Sequence, residues 1–180
     1  MNTHARAPGA SDAPLPELSL TEWAVLGILA VQPAHGFAVA RELRADSPVG
    51  EVWSIQRPLI YRAMNRLESQ GLIRPHATEP GAGGPQRTVY RLERRGRTAL
   101  RRWLRTPVNH LRDVRTELLL KLVLGRRLGI DQRQLVLDQQ ATFAPYFAAL
   151  AQAASGSADP VRLWRHESSQ AVARLLEGLS

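Results

Sequence analysis

The sequence has no cysteine, which removes disulfides, thiolate nucleophiles and cysteine-ligated zinc from its chemistry. Lysine is almost absent as well. Lys121 is alone, and every other basic residue is arginine, whose planar fork suits phosphates and guanine edges. Acidic residues are outnumbered, 16 against 24 basic, and the net charge of +8 favours a polyanionic partner such as nucleic acid or an anionic membrane. No apolar run is long enough to span a bilayer, and residues 1–17 lack the apolar centre of a signal peptide. The expectation is a cytoplasmic, bacterial-type protein with a disordered tail over 1–17 and no membrane partner. Catalytic groupings are missing too. His4, His35, His76, His110 and His166 are scattered without metal-ligand spacing, and G-x-S-x-G does not occur. The glycines at 81, 83 and 84 lie in a hairpin, where they form no phosphate loop. No enzyme activity, metal or cofactor is expected.

What is present is a chain with 44% hydrophobic residues, enough to bury a core. Ser19-Leu20-Thr21-Glu22 has the S-x-x-E form that opens a helix, and the apolar run after it predicts a buried helix to about residue 31. Gln32-Pro33-Ala34-His35-Gly36 stops it. A second helix is predicted over about 37–45, with Phe37, Ala40 and Leu43 on one side. The third is predicted over about 57–70, ending on Gly71, with Pro58 tolerable in its first turn. Ile60, Ala63, Met64 and Leu67 form its inward stripe, which leaves Arg57, Leu59, Arg62, Asn65, Arg66 and Ser69 outside.

After Gly71 the pattern becomes strand: 72–74 leads out, 88–92 leads back, and the Gly- and Pro-rich stretch 79–85 forms the tip of a two-stranded wing. A fourth helix follows at about 94–104. Between residues 57 and 105 stand 12 arginines against Glu68, Glu79 and Glu93, whereas residues 107–180 carry 9 basic and 7 acidic groups. This reading places the positive field near the third helix and hairpin. The remainder reads as helices at about 114–128, 131–152 with Pro145 inside, and 160–179.

The predicted fold is mainly α (α+β). A winged helix-turn-helix over 18–106 precedes an all-helical dimerisation and effector domain over 107–180. In such an arrangement the third helix is the natural reader of the major groove, and the wing touches the neighbouring backbone. Gln56, Arg57, Leu59, Tyr61, Arg62, Asn65 and Arg66 on that helix, with Arg87 and Arg91 on the returning strand, are the candidate contacts to double-stranded DNA. Arg74 and His76 are alternatives on the outgoing strand. In the last helix Val161, Trp164, Ser168, Ala171, Leu175 and Leu179 recur at spacings of three or four. Together with Leu135 and Phe143, Trp164, Ala171, Leu175 and Leu179 are the candidate homodimer contacts. The competing reading of the whole is a winged-helix protein interaction module, since a fold does not establish DNA binding.

Three segments carry a resemblance: His35-Gly36-Phe37, then residues 59–73 (LIYRAMNRLESQGLI), then residues 84–92 (GPQRTVYRL) with Gly96 and Leu100. As a set they resemble the PadR family of transcriptional regulators over about 18–104. The resemblance implies a winged helix-turn-helix, a homodimer formed by C-terminal helices, and repression relieved by a small-molecule effector. Residues 118–122 and Trp164-Arg165 look like the branch with the larger C-terminal domain. The chain departs from the family pattern at Gln56, Arg57 and Pro58, where a small polar cap is usual, and at Glu93, where a capping threonine is usual. The resemblance puts Tyr61 at the DNA surface. The residues alone equally allow a half-buried ring under the wing. Trp23, Trp103, Phe143 and Trp164 are candidates to line an effector pocket or to be core.

Overall fold

A computed structural model describes residues 16–81, 84–154 and 158–180, apart from the side chains of 81, 84 and 85. Most of the expected tail, the very tip of the wing and part of the turn before the last helix lie outside the described residues.

Helix α1 (Leu20–Val31) opens on the expected reciprocal cap. The Glu22 carboxylate accepts from the Ser19 amide at 2.6 Å, and the Ser19 hydroxyl accepts from the Glu22 amide at 3.4 Å. The helix is buried almost all round, and the next four α-helices and the last wing strand pack on it. The stop after it is also a two-residue strand, β1 (Ala34–His35). It is too short to show alternation in sequence and exists only because β3 runs beside it.

Helix α2 (Gly36–Glu42) is shorter than expected and is capped by His35, whose Nδ1 accepts from the Ala38 amide at 3.0 Å. Ala40 and Leu43 face the core, but Phe37 is 44% exposed and does not. Helix α3 (Arg57–Ser69) buries the predicted stripe of Ile60, Ala63, Met64 and Leu67. It ends in a Schellman turn, in which the Leu72 amide donates to the Leu67 carbonyl and the Gly71 amide to the Glu68 carbonyl, both at 2.9 Å. Gly71 takes φ +67, the left-handed position its lack of Cβ permits.

The wing strands β2 (Ile73–Gly81) and β3 (Gly84–Leu92) are longer than expected and pair antiparallel, and β1 adds to the other side of β3. The sheet therefore has three strands, not two. Pro75 and Pro80 weaken the sequence signal for β2, yet each adjoins a break in register, where a missing N–H is tolerated. His76 is the extra residue at the first break. Helix α4 (Arg94–Trp103) then returns across α1, stacking Trp103 on Trp23 with ring centroids 4.9 Å apart.

The C-terminal half starts with a 3₁₀ turn (Leu111–Asp113) and a π turn (Val114–Leu118) running into α5 (Leu119–Arg127). Leu120 and Leu124 complete the core of the winged half, while Leu118 belongs to a second core with Val108, Val114, Leu135, Val136, Phe143 and Leu176. One helical stretch thus serves both cores. Helix α6 (Arg133–Ala154), with Pro145 inside it, and α7 (Pro160–Glu177) pack together on that second core. Buried Gln139 ties them to the linker, accepting from the Val108 amide at 2.8 Å and donating to its carbonyl at 2.9 Å.

This packing corrects the expected dimer contacts. Leu135 and Phe143 are 3% and 2% exposed within a single chain, so neither offers surface to a partner. The expected contacts left outside are those of α7 and its end, Trp164 at 72% with Ala171, Leu175 and Leu179; Val161 and Leu163 beside them, and Leu137 and Tyr146 of α6, are exposed too. Trp23 and Trp103 are likewise core, which removes them and Phe143 as pocket-lining candidates.

Candidate nucleic-acid interface

The exposed face of α3 is organised around its middle row. Arg62, Asn65 and Ser69 are spaced three and four apart opposite the buried stripe, and all are exposed. Arg57 and Tyr61 flank the row on one side, Leu59 and Arg66 on the other. At the start of the helix Gln56 has extended backbone and makes no side-chain cap, and Ser54 makes none in its place. The first N–H groups of α3 therefore lack side-chain acceptors. With Arg57 beside them they form a positive end facing outward.

Phe37 explains how that end is held. The guanidinium carbons of Arg57 and Arg87 lie 5.0 and 5.5 Å from its ring centroid, so one exposed ring joins α3 to the wing. Sequence reasoning placed Phe37 in a core stripe and missed this contact. The clue was a bulky aromatic directly after the turn glycine. Tyr61 satisfies both of its readings. Its ring lies directly against Gly36, where a Cβ would collide with Cε1, while 47% of the residue remains exposed. Gly36, Phe37, Tyr61 and Arg87 line a cleft of about 420 Å³ between α2, α3 and β3, together with His35, Asn65, Gln86 and Tyr90.

Other arginines prove to be engaged. Arg66 Nε lies 3.3 Å from the buried Glu22 carboxylate, and its Nη2 donates to the Glu17 carbonyl at 3.5 Å. Arg74 and Arg91 are directly paired across the ladder and converge on Glu93. That is also why Glu93 caps nothing at the start of α4. Arg66 and Arg91, expected as DNA contacts, are thus structural ion pairs first. Among the described residues, Arg57, Arg62 and Arg87 are the arginines of α3 and the wing in no ion pair, although Glu79 stands opposite Arg87 in the ladder. The positive field is also broader than expected, because six of the twelve arginines between 57 and 105 lie on α4 or just after it.

At the joint behind this surface Lys121 is 1% exposed and bonds the Thr106 carbonyl and Glu117, both at 2.7 Å. Glu117 also accepts from Trp103 Nε1 at 3.1 Å. Burial pushes the Lys121 pKa down, opposed by Glu117 and Asp113. Among the described residues no cluster of His, Asp or Glu has the form of a metal site, and no helix is long and apolar enough to cross a membrane.

Residues 25–102, the core of this winged arrangement, match the Transcriptional regulator PadR-like family. The chain is similar to that family over this stretch, 78 of its 180 residues. The description of that family is of transcriptional regulators. A probable transcriptional regulator of Mycobacterium tuberculosis, Rv1176c, is 32% identical over 92 residues, which are 51% of this chain and 47% of that one. The match thus spans about half the length of each. The structure of Bacillus subtilis PadR in complex with operator DNA is similar at a TM-score of 0.48 and 19% identity, covering 89% of this chain and 97% of that one. The Streptococcus mutans protein smu.1604c is similar at 0.43 and 18%, covering 87% and 96%. In PadR-like terms the matched region contains the whole of α3, the wing and Arg57, Arg62 and Arg87.

Proposed function

We propose that this chain is a sequence-specific DNA-binding repressor that acts as a homodimer and releases its operator on binding a small molecule. The observation that carries the DNA reading is the sorting of arginines. Arg66, Arg74 and Arg91 are neutralised by Glu22 and Glu93, while Arg57, Arg62 and Arg87 make no ion pair among the described residues and Phe37 joins two of them. In this reading Arg62 and Asn65, at the middle of the exposed row, meet base edges in the major groove, and Leu59 and Tyr61 pack beside them. Arg57 and Arg87, held on Phe37, clamp phosphates together with the open helix start and Gln56.

The homodimer reading rests on α7. Trp164 at 72% exposure, with Leu163, Ala171, Leu175 and Leu179, is a large apolar surface for water to cover. A second copy covering it gives a two-fold assembly whose recognition helices sit about 34 Å apart, matched to a pseudo-palindromic operator. Division of the chain at residue 106 is then one of role, reading before it and pairing after it. An effector would meet Trp164 and Tyr146, the exposed aromatics of that half.

Selection of genomic fragments with purified protein, followed by a salt titration, tests the reading. The expected result is one inverted repeat bound with an affinity that falls steeply as salt rises. Binding to no duplex at low salt would leave a winged-helix protein interaction module. For the dimer, W164E and L175E should each sediment as monomers; unchanged dimers would exclude α7 as the interface.

A further inference from the structure

We infer that α4 forms a second surface for duplex DNA, taking phosphates beyond those reached by α3 and the wing. The inference rests on the DNA-binding reading above. Arg94, Arg95, Arg97, Arg101, Arg102 and Arg105 are all exposed, and the sequence has no acidic residue between Glu93 and Asp113. Glu93 is already engaged by Arg74 and Arg91.

The arrangement works against the helix that carries it. Arg94, Arg95 and Arg97 stand at the N-terminal end, where the helix dipole disfavours positive charge. Arg97, Arg101 and Arg105 are four apart and repel one another. The helix start has no side-chain cap. By contrast α1 has a full capping box with Glu22 in its first turn, and α7 is capped by Asp159. Packing holds α4 in place despite this, through Leu100, Leu104 and Trp103 stacked on Trp23. Nothing among the described residues offsets the charge of Arg97, Arg101 and Arg105, and a row of phosphates would.

Two observations define the partner. The apolar residues of α4 are turned into the core, which leaves arginines and Thr98 outside and nothing to insert among lipid chains. Duplex DNA, a dense and regular line of charge, is the better match than a membrane surface. The start of α4 also lies by Gly71, at the far end of α3 from Arg57, since Arg95 Nη1 comes within 3.8 Å of the position a Gly71 Cβ would take. The 13 residues of α3 separate the two by about 20 Å. The α4 row therefore meets other phosphates, on flanking DNA or on a second duplex.

The test compares the full-length protein with R97A/R101A/R105A and with R101A alone, using a long random-sequence duplex and, in a second assay, an immobilised duplex that must capture a labelled one. The expected result is a salt dependence shallower by about 2 to 3 units of log K per log salt for the triple variant and by about 1 for R101A. Thermal melting should be unchanged or higher, because repulsion is relieved and alanine favours helix. A shortened footprint assigns the contact to flanking DNA, and loss of capture assigns it to a second duplex. An unchanged salt slope, or binding lost to phosphatidylserine vesicles but kept to DNA, overturns the inference. R57A/R62A is run in parallel: if it loses binding while the α4 variants bind as wild type, this inference fails and the α3 reading stands. If R57A/R62A binds as wild type, it is the α3 reading that fails.

Discussion

Helices α3 and α4 are both rich in arginine and both exposed on one side, yet they hold their charge differently. On α3, Arg57 lies on an aromatic ring, Arg66 answers a buried carboxylate, and Arg62 stands clear between them. On α4, Arg97 and Arg101 repeat one turn apart, and the helix carries no acidic residue of its own. A count of charges treats the two helices as one positive field. Their neighbours separate a surface shaped by a ring and a buried carboxylate from a more uniform one; in the proposed reading the first discriminates sequence and the second only attracts.

That contrast can be broken at several points. The largest expected effect is at Arg62: R62A should cost about 1 to 3 kcal/mol of binding to the selected site and relax preference at one base position, with no change in melting. A uniform loss across all sequences, measured by competition, would make Arg62 a phosphate clamp. Arg66 should behave in the opposite way. R66A leaves the buried Glu22 carboxylate without its cation and should lower unfolding stability by about 1 kcal/mol, discounted because Arg66 itself is half exposed. Denaturant midpoints that match wild type would return Arg66 to the list of DNA contacts.

At Phe37 the expected loss in binding is about 0.5 to 1 kcal/mol for F37A, with F37Y close to wild type. Because the ring acts through Arg57 and Arg87, F37A and R57A should be non-additive in a double-mutant cycle. Full additivity would mean that the ring positions neither arginine.

The smallest effect concerns the joint behind both helices. Burial lowers the Lys121 pKa from its ordinary 10.5, so as pH rises the folded form releases this proton before the unfolded chain does. Stability attributable to Lys121 therefore increases as pH climbs toward 10.5. Tyr90, whose pKa is raised above 10.0 by burial and by Glu68, acts in the opposite direction above that value. Denaturant midpoints should rise slightly with pH just below 10 in the wild type, and K121M should remove that rise.

Much of the frame was readable beforehand because it depends on near neighbours. The capping box at Ser19 and Glu22, the inward stripe of α3, Gly71 in its left-handed turn and Pro160 opening α7 are each fixed by residues a few positions apart. The misjudged positions are those whose partners are distant in the chain. Phe37 has a helical neighbour pattern, but its ring meets Arg57 and Arg87 instead of the core. Arg66 and Arg91 fit an exposed periodicity, yet Glu22 and Glu93 are brought to them by folding. Leu135 and Phe143 have the spacing of an interface and are used up by α7 and the linker of their own chain.

By itself, then, the sequence determined the order of helices, the wing and the place and inward stripe of α3, since periodicity, caps and turn chemistry are local. Only the tertiary structure decided which arginines remain free, which apolar rows stay uncovered, and that β1 and α5 join the winged half. Those outcomes depend on which distant groups reach a side chain first, and a carboxylate or a ring packed against it changes what it can do without leaving any mark in its own neighbourhood.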